Sequence, residues 1–157
     1  MVCSMIAAVG NVLQYVRETS VLNSYVTLSL VRENRGSGKQ KAVGRALQYI
    51  ERCCQTARNH SVVLLLEPLN RYEIDFVNTL EDARSVIEKI GSESLEILAD
   101  TFHMNREQEK IGTSLISVKH KLRHVHFADS NRLPPGMGHL SFEDLISVLK
   151  SSATMDI

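Results

Sequence analysis

Short apolar runs alternate along this chain with longer stretches in which apolar positions recur every three or four residues. Tyr25-Val26-Thr27-Leu28-Ser29-Leu30-Val31, Val62-Val63-Leu64-Leu65-Leu66, Leu95-Glu96-Ile97-Leu98-Ala99 and residues 122–127 are rich in β-branched and leucine side chains. Their length and composition predict strands, with the leucine-rich run buried on both faces as in a parallel sheet. Between the first two, the spacing predicts a helix over residues 39–59, with Val43, Ala46, Leu47, Ile50, Cys53, Cys54 and Ala57 on one face. Thr79 is placed to cap a second helix, Glu81 and Asp82 sit in its first turn, and Gly91 ends it. Leu80, Ala83, Ile87 and Ile90 form its buried stripe. Residues 107–118 read as helical in part, and Ser141 caps a last helix with Phe142, Leu145, Ile146 and Leu149 inward. Ahead of all these, residues 11–21 have the spacing of a weak amphipathic helix.

The order is one helix, then strand–helix repeated four times, which implies parallel βαβ units in an α/β fold. No internal repeat and no low-complexity linker divides the chain, so residues 1–157 are expected to form one architectural unit.

Composition narrows the function. With 157 residues the chain can bury a real core, and 18 basic residues balance 18 acidic ones. Neutral charge gives no footprint for nucleic acid or for an anionic membrane surface. No apolar run approaches the roughly 20 residues of a membrane span. The opening Met1–Gly10 lacks the basic leader of a signal peptide, so a cytoplasmic location is expected. Cys3, Cys53 and Cys54 have neither disulfide nor zinc spacing and read as free thiols.

Candidate chemistry lies where the strands stop. Glu67, Asp100 and His126 each end a strand, and in a parallel sheet such ends face one volume. Two hard oxygen donors and one imidazole suit Mn²⁺, Mg²⁺ or a similar divalent ion better than a closed structural zinc site. Taken alone, each would be an ordinary loop carboxylate or a hydrogen-bonded histidine; their shared position is what distinguishes them. Further polar groups lie close by in sequence: Glu73 six residues after Glu67, His103 three after Asp100, and Arg132 six after His126. A carboxylate, an imidazole and a guanidinium above a metal would suit a polyhydroxy carbonyl compound.

Three blocks, Glu67-Pro-Leu-Asn-Arg-Tyr-Glu73, Asp100-Thr-Phe-His103-Met-Asn and His124-Val-His126…Asn131-Arg132…Pro-Gly, resemble in order and spacing the ketose 3-epimerase and hydroxypyruvate isomerase branch of the xylose isomerase-like (β/α)₈ barrels. The similarity runs over about residues 25–150. The resemblance implies a divalent metal, Mn²⁺, Mg²⁺ or Co²⁺, held by Glu67, Asp100, His126 and a second glutamate. It implies that Glu67 is also one member of an acid–base pair acting on the substrate carbon through an enediolate. His103 and Arg132 would bind the substrate's carbonyl and hydroxyl oxygens, Glu73 an end hydroxyl, and His124 would support the site without ligating. The implied substrate is a ketose or a small hydroxycarbonyl acid.

The second glutamate belongs to the family's eighth strand, and residues 151–157 contain neither a strand pattern nor a glutamate. A full barrel takes about 250 residues and eight strands. The four strands here correspond to about strands four to seven, a partial TIM barrel with flanking helices. Four strands cannot close, so inward-facing apolar side chains should be uncovered, and a homo-oligomer or a pairing of partial barrels is expected. A catalytically inactive partial barrel with an associative role is the alternative reading. The barrel relatives that cleave DNA at abasic sites call for a histidine-rich multi-metal site and a basic surface, which this chain lacks.

Overall fold

The computed structural model describes residues 25–28 and 39–151, with side chains from Val43 onward. The expected helix over 11–21, the end of the first strand, Cys3 and residues 152–157 lie outside the described residues. Within them the elements run β1 (Tyr25–Leu28), α1 (Lys39–Asn59), β2 (Val63–Leu66), α2 (Leu80–Ile90), β3 (Leu95–Asp100), α3 (Thr101–Glu107), α4 (Ile111–Ser117), β4 (Leu122–His126) and α5 (Phe142–Ser151). Among the described residues no helix is long and apolar enough to cross a membrane.

The four strands form one sheet in the order β1-β2-β3-β4, every pair parallel. Alternate side chains of β2, β3 and β4 face the helices, and these make the core. Leu64 and Leu66 of β2, Leu95, Ile97 and Ala99 of β3, and Leu122 and Val125 of β4 pack with Ile50, Cys53, Cys54 and Ala57 of α1 and the apolar stripe of α2. Cys53 and Cys54 are buried free thiols, and burial raises the pKa of each. The second helix starts with a reciprocal capping box: the Asp82 N–H donates to Thr79 Oγ1 at 3.0 Å, and the Thr79 N–H donates to Asp82 Oδ2 at 2.9 Å. It ends at Gly91, whose φ of 64° is a left-handed cap that other residues adopt at a cost.

A β-bulge in β4 decides what that strand presents. Ile97 pairs with Leu122, but the next residue, Leu98, pairs with His124, so Arg123 is the extra residue. Continued without the bulge, the register would set His124 beside Ala99 and turn it toward the helices. The inserted residue brings His124 level with Leu98 and His126 level with Asp100, both facing away from the helices.

The structure differs from expectation at three places. Residues 101–107 form α3, which the apolar pattern does not reveal; its start is capped by Asp100. Ile146 is exposed rather than inward, because Leu145 and Leu149 define the buried face of α5 and Ile146 is turned about 100° from it. Val148 packs against the core in its place. On the face away from the helices, Leu65 and Leu98 are fully buried rather than uncovered, and most other positions there are polar: Glu67, Glu96, Asp100, His124 and His126.

Ile97 lies at the centre of this core with none of its surface exposed. Ile97→Ala is expected to cost roughly 2–5 kcal/mol, read as a lower urea midpoint at unchanged slope, whereas exposed Ser85→Ala should change stability by under about 0.5 kcal/mol.

Candidate active site

The strand ends converge. His126 Nδ1 lies 3.7 Å from Glu67 Oε1 and 3.7 Å from Asp100 Oδ2. Donors about 2.1 Å from a divalent ion sit roughly 3–4 Å from one another, so the His126 imidazole stands at ligand spacing from both carboxylates. The two carboxylate side chains are 11% and 14% exposed and the imidazole 47%, a site walled on the oxygen side and open on the histidine side. His103 reaches the same volume: Glu67, Asp100 and His103 each offer a ligand atom within 4.8 Å of the others. The donor set therefore fits a divalent metal, with two imidazoles as candidate ligands.

Asp100 does two things at once. Its Oδ1 accepts the main-chain N–H groups of Phe102 at 2.8 Å and His103 at 3.2 Å, capping α3. Its Oδ2 faces His126. The cap thereby fixes the carboxylate and starts the helix that carries His103.

His103 is buried, and its Nδ1 meets the main-chain N–H of Asn70 at 3.2 Å and Asn70 Nδ2 at 2.9 Å. Asn70 Nδ2 also donates to Glu73 Oε1 at 3.1 Å, and Arg132 Nη1 lies 3.2 Å from that same oxygen. The Arg132 guanidinium sits 4.9 Å from the centre of the Phe102 ring, and Arg106 lies over the ring at 4.4 Å. Glu73, His103 and Arg132 are thus drawn into one group beside Glu67, Asp100 and His126. His124 stands edge-on to His126, ring centres 5.2 Å apart. Burial, and secondarily the charge of His126, lowers the His124 pKa.

Two loops carry the outer residues, and both are anchored to α3. Arg71 binds Glu107 through its main-chain N–H at 2.7 Å and a bidentate guanidinium contact, fastening the loop after β2. Burial pushes the Glu107 carboxyl up, but the Arg71 bonds prevail and hold it below its ordinary value. Thr101 Oγ1 donates to Ala128 O at 2.6 Å and accepts from Ala128 N at 2.9 Å, fastening the loop after β4. That loop is folded around Asp129, which is fully buried and accepts the main-chain N–H groups of Ser130, Gly136, Gly138 and Leu140. Burial alone would raise the Asp129 carboxyl; the four donors reverse this and hold it down at about 2. Within this frame Arg132 adopts φ 65°, a left-handed conformation costly for arginine, and its guanidinium is delivered to Glu73.

Asn70, Thr101, Phe102, Glu107 and Asp129 carry no role in the sequence reading. The signals for them are weak: Asn70 and Phe102 lie inside the motifs, and Asp129 precedes a proline–glycine loop in which an acidic residue can gather main-chain donors.

Comparison with known proteins identifies the family and the fold. A family model described as a xylose isomerase-like TIM barrel matches residues 8–156. The chain is 38% identical over 114 residues to a 3-dehydro-D-guloside 4-epimerase of Escherichia coli (strain K12), covering 73% of this chain and 42% of that protein. It is 37% identical over 112 residues to a D-psicose 3-epimerase of Enterocloster bolteae, covering 71% of this chain and 37% of that one. The crystal structure of D-psicose 3-epimerase with D-tagatose from Clostridium cellulolyticum H10 superposes with a TM-score of 0.84 at 22% identity, over 94% of this chain and 52% of that one, a likeness of fold. The chain spans well under half the length of these two curated relatives.

The Asp129 pKa is depressed, so its contribution to stability is complete above about pH 4 and is lost as pH falls toward 2. The urea midpoint of Asp129→Asn should lie below that of the wild type at pH 6, and the gap should narrow as pH falls through that window. Gly138→Ala, whose new Cβ would overlap the Asp129 carboxylate, should destabilise the loop at every pH.

Proposed function

The chain belongs to the xylose isomerase-like TIM-barrel family, and on that footing we propose that it contributes the metal-holding part of a sugar isomerase or epimerase site. The observation that carries the reading is that His126 Nδ1 lies 3.7 Å from both Glu67 Oε1 and Asp100 Oδ2, at three adjacent strand ends. These three would hold Mn²⁺, Mg²⁺ or Co²⁺, His126 through Nδ1. When bound, the ion supplies Lewis acidity at the substrate's carbonyl and neighbouring hydroxyl oxygens.

The chain's own residues do the rest. Glu67, mostly buried at the strand end, takes the proton from the carbon beside the carbonyl and can return it to the same face. Charge then develops on the substrate oxygens of the enediolate, and His103 and Arg132 are placed to donate hydrogen bonds there. Glu73 accepts from a hydroxyl farther along the substrate. Because Glu73 already pairs with Arg132 at 3.2 Å, the guanidinium's charge is compensated within the protein. That favours an uncharged ketose over a substrate carboxylate. Inverting the carbon requires a second acid–base group on its opposite face. The second reading is a metal-binding partial barrel that associates without turnover, in which no such group reaches the carbon.

Metal binding tests the site directly. Mn²⁺ at 100-fold excess over its Kd should stabilise the protein by about 2.7 kcal/mol, roughly 5–10 °C in melting temperature. Asp100→Asn or His126→Ala should abolish the shift, and an unchanged wild-type melting temperature at millimolar Mn²⁺ refutes the site. With metal bound, exchange of the ketose C–H proton with deuterated solvent should depend on Glu67 and disappear in Glu67→Gln. Metal binding without exchange selects the second reading.

A further inference from the structure

We propose that Asn70 is a positioning residue that holds His103 in the Nε2–H form and insulates it from Glu73, making His103 a hydrogen-bond donor to the substrate and not a metal ligand. The donor role rests on the reading above; the protonation pattern does not.

His103 is the ambiguous member of the cluster, since its ring comes as near to Glu67 and Asp100 as a ligand would. What decides its role is which nitrogen carries the proton. A histidine that ligates a metal through Nε2 ordinarily gives its Nδ1–H to a carboxylate or carbonyl. A carboxylate is at hand, with Glu73 Oε1 only 4.0 Å from Nδ1. The place between them is taken by Asn70. Its main-chain N–H donates to Nδ1 at 3.2 Å, and its side-chain nitrogen lies 2.9 Å from Nδ1 and 3.1 Å from Glu73 Oε1.

The amide orientation is set independently, because Asn70 Oδ1 accepts the Tyr72 main-chain N–H at 3.1 Å. The other end of the amide must then be nitrogen, which donates only. Nδ1 therefore faces donors and must accept, and the proton of the neutral ring sits on Nε2. The two hydrogens of the amide serve Glu73 and His103 separately, so the carboxylate is satisfied without drawing a proton to Nδ1. Asn70 is 2% exposed, so no bulk water reaches this point to restore the bond if the amide is lost.

The other charged groups around the ring fit this assignment. Asp100 Oδ1 binds the His103 main-chain N–H, not its ring, and Arg132 donates to the same Glu73 oxygen that Asn70 binds. An aspartate at position 70 would put an acceptor where the donor now stands, and would favour the Nδ1–H form.

The test is ¹⁵N NMR of histidine-labelled protein at pH 8 without metal or substrate, the His103 ring assigned by its loss in His103→Gln. Wild type should show an unprotonated Nδ1 and a protonated Nε2. Asn70→Asp, which replaces the 2.9 Å side-chain donor by an acceptor and leaves only the longer main-chain bond, should raise the share of the Nδ1–H form. If Asn70→Asp does not fold, Asn70→Ser is expected to populate the Nδ1–H form in part, and adding Glu73→Gln should remove that form again. Diamagnetic Zn²⁺ should then shift the His126 ring signals while His103 keeps its Nε2 proton. Protonated Nδ1 in the wild type, an unchanged tautomer in the Asn70 variants, or loss of the Nε2 proton on adding Zn²⁺ overturns the proposal. None of these readouts requires turnover, so they stand apart from the fate of the enzymatic reading.

Discussion

One carboxylate has to be in two places for this site to exist. Asp100 Oδ1 ends a strand by capping the helix that follows, while Oδ2 looks across to His126. The cap restricts rotation of the side chain, so the second oxygen is aimed without any further residue holding it. Helix α3 in turn becomes the platform on which everything outward of the strand ends is mounted. It carries His103, it receives the Arg71 clamp at Glu107 and the Ala128 bonds at Thr101, and its Phe102 ring lies under Arg132. The strand ends alone would present three candidate ligands; the capped helix adds the polar residues that stand outward of them.

These outer residues are polar but held by buried bonds, which is why they can be specific without being apolar. Asp129 and Asn70 are both almost wholly inaccessible to water; Asp129 gathers main-chain donors, and Asn70 accepts one main-chain N–H while donating to the side chains of Glu73 and His103. Losing either leaves unsatisfied groups in a place water cannot repair. The exposed partners, Glu73 and Arg132, are then free of the task of holding the loops, and their charges balance each other at the site.

The long helices are readable from the sequence because burial imposes a period of 3.6, and the strands because they are short runs of β-branched and leucine side chains. The cap at Thr79 and the stop at Gly91 are readable for a different reason: each is a local bargain between one side chain and the nearest main chain. Helix α3 escapes because Thr101-Phe102-His103-Met104 shows no polar face; all four side chains are buried, and only the cap marks the start. The same limit applies to the site. Glu67, Asp100 and His126 can be picked out by position at strand ends, whereas Asn70 and Asp129 work through bonds to residues 33 and up to 11 positions away, which no local pattern encodes.

The bulge at Arg123 makes the site depend on counting as well as on chemistry. If the same residues ran on without the bulge, every position past Leu122 would be half a period out of phase. Val125 would then look into the site and the two histidines would be pressed into the helix-facing core. Grafts, circular permutants and shuffled chimaeras that cross β4 should therefore be judged by whether they keep the bulge in step with its residues, since a segment can retain every candidate ligand and still turn its histidines away from the site.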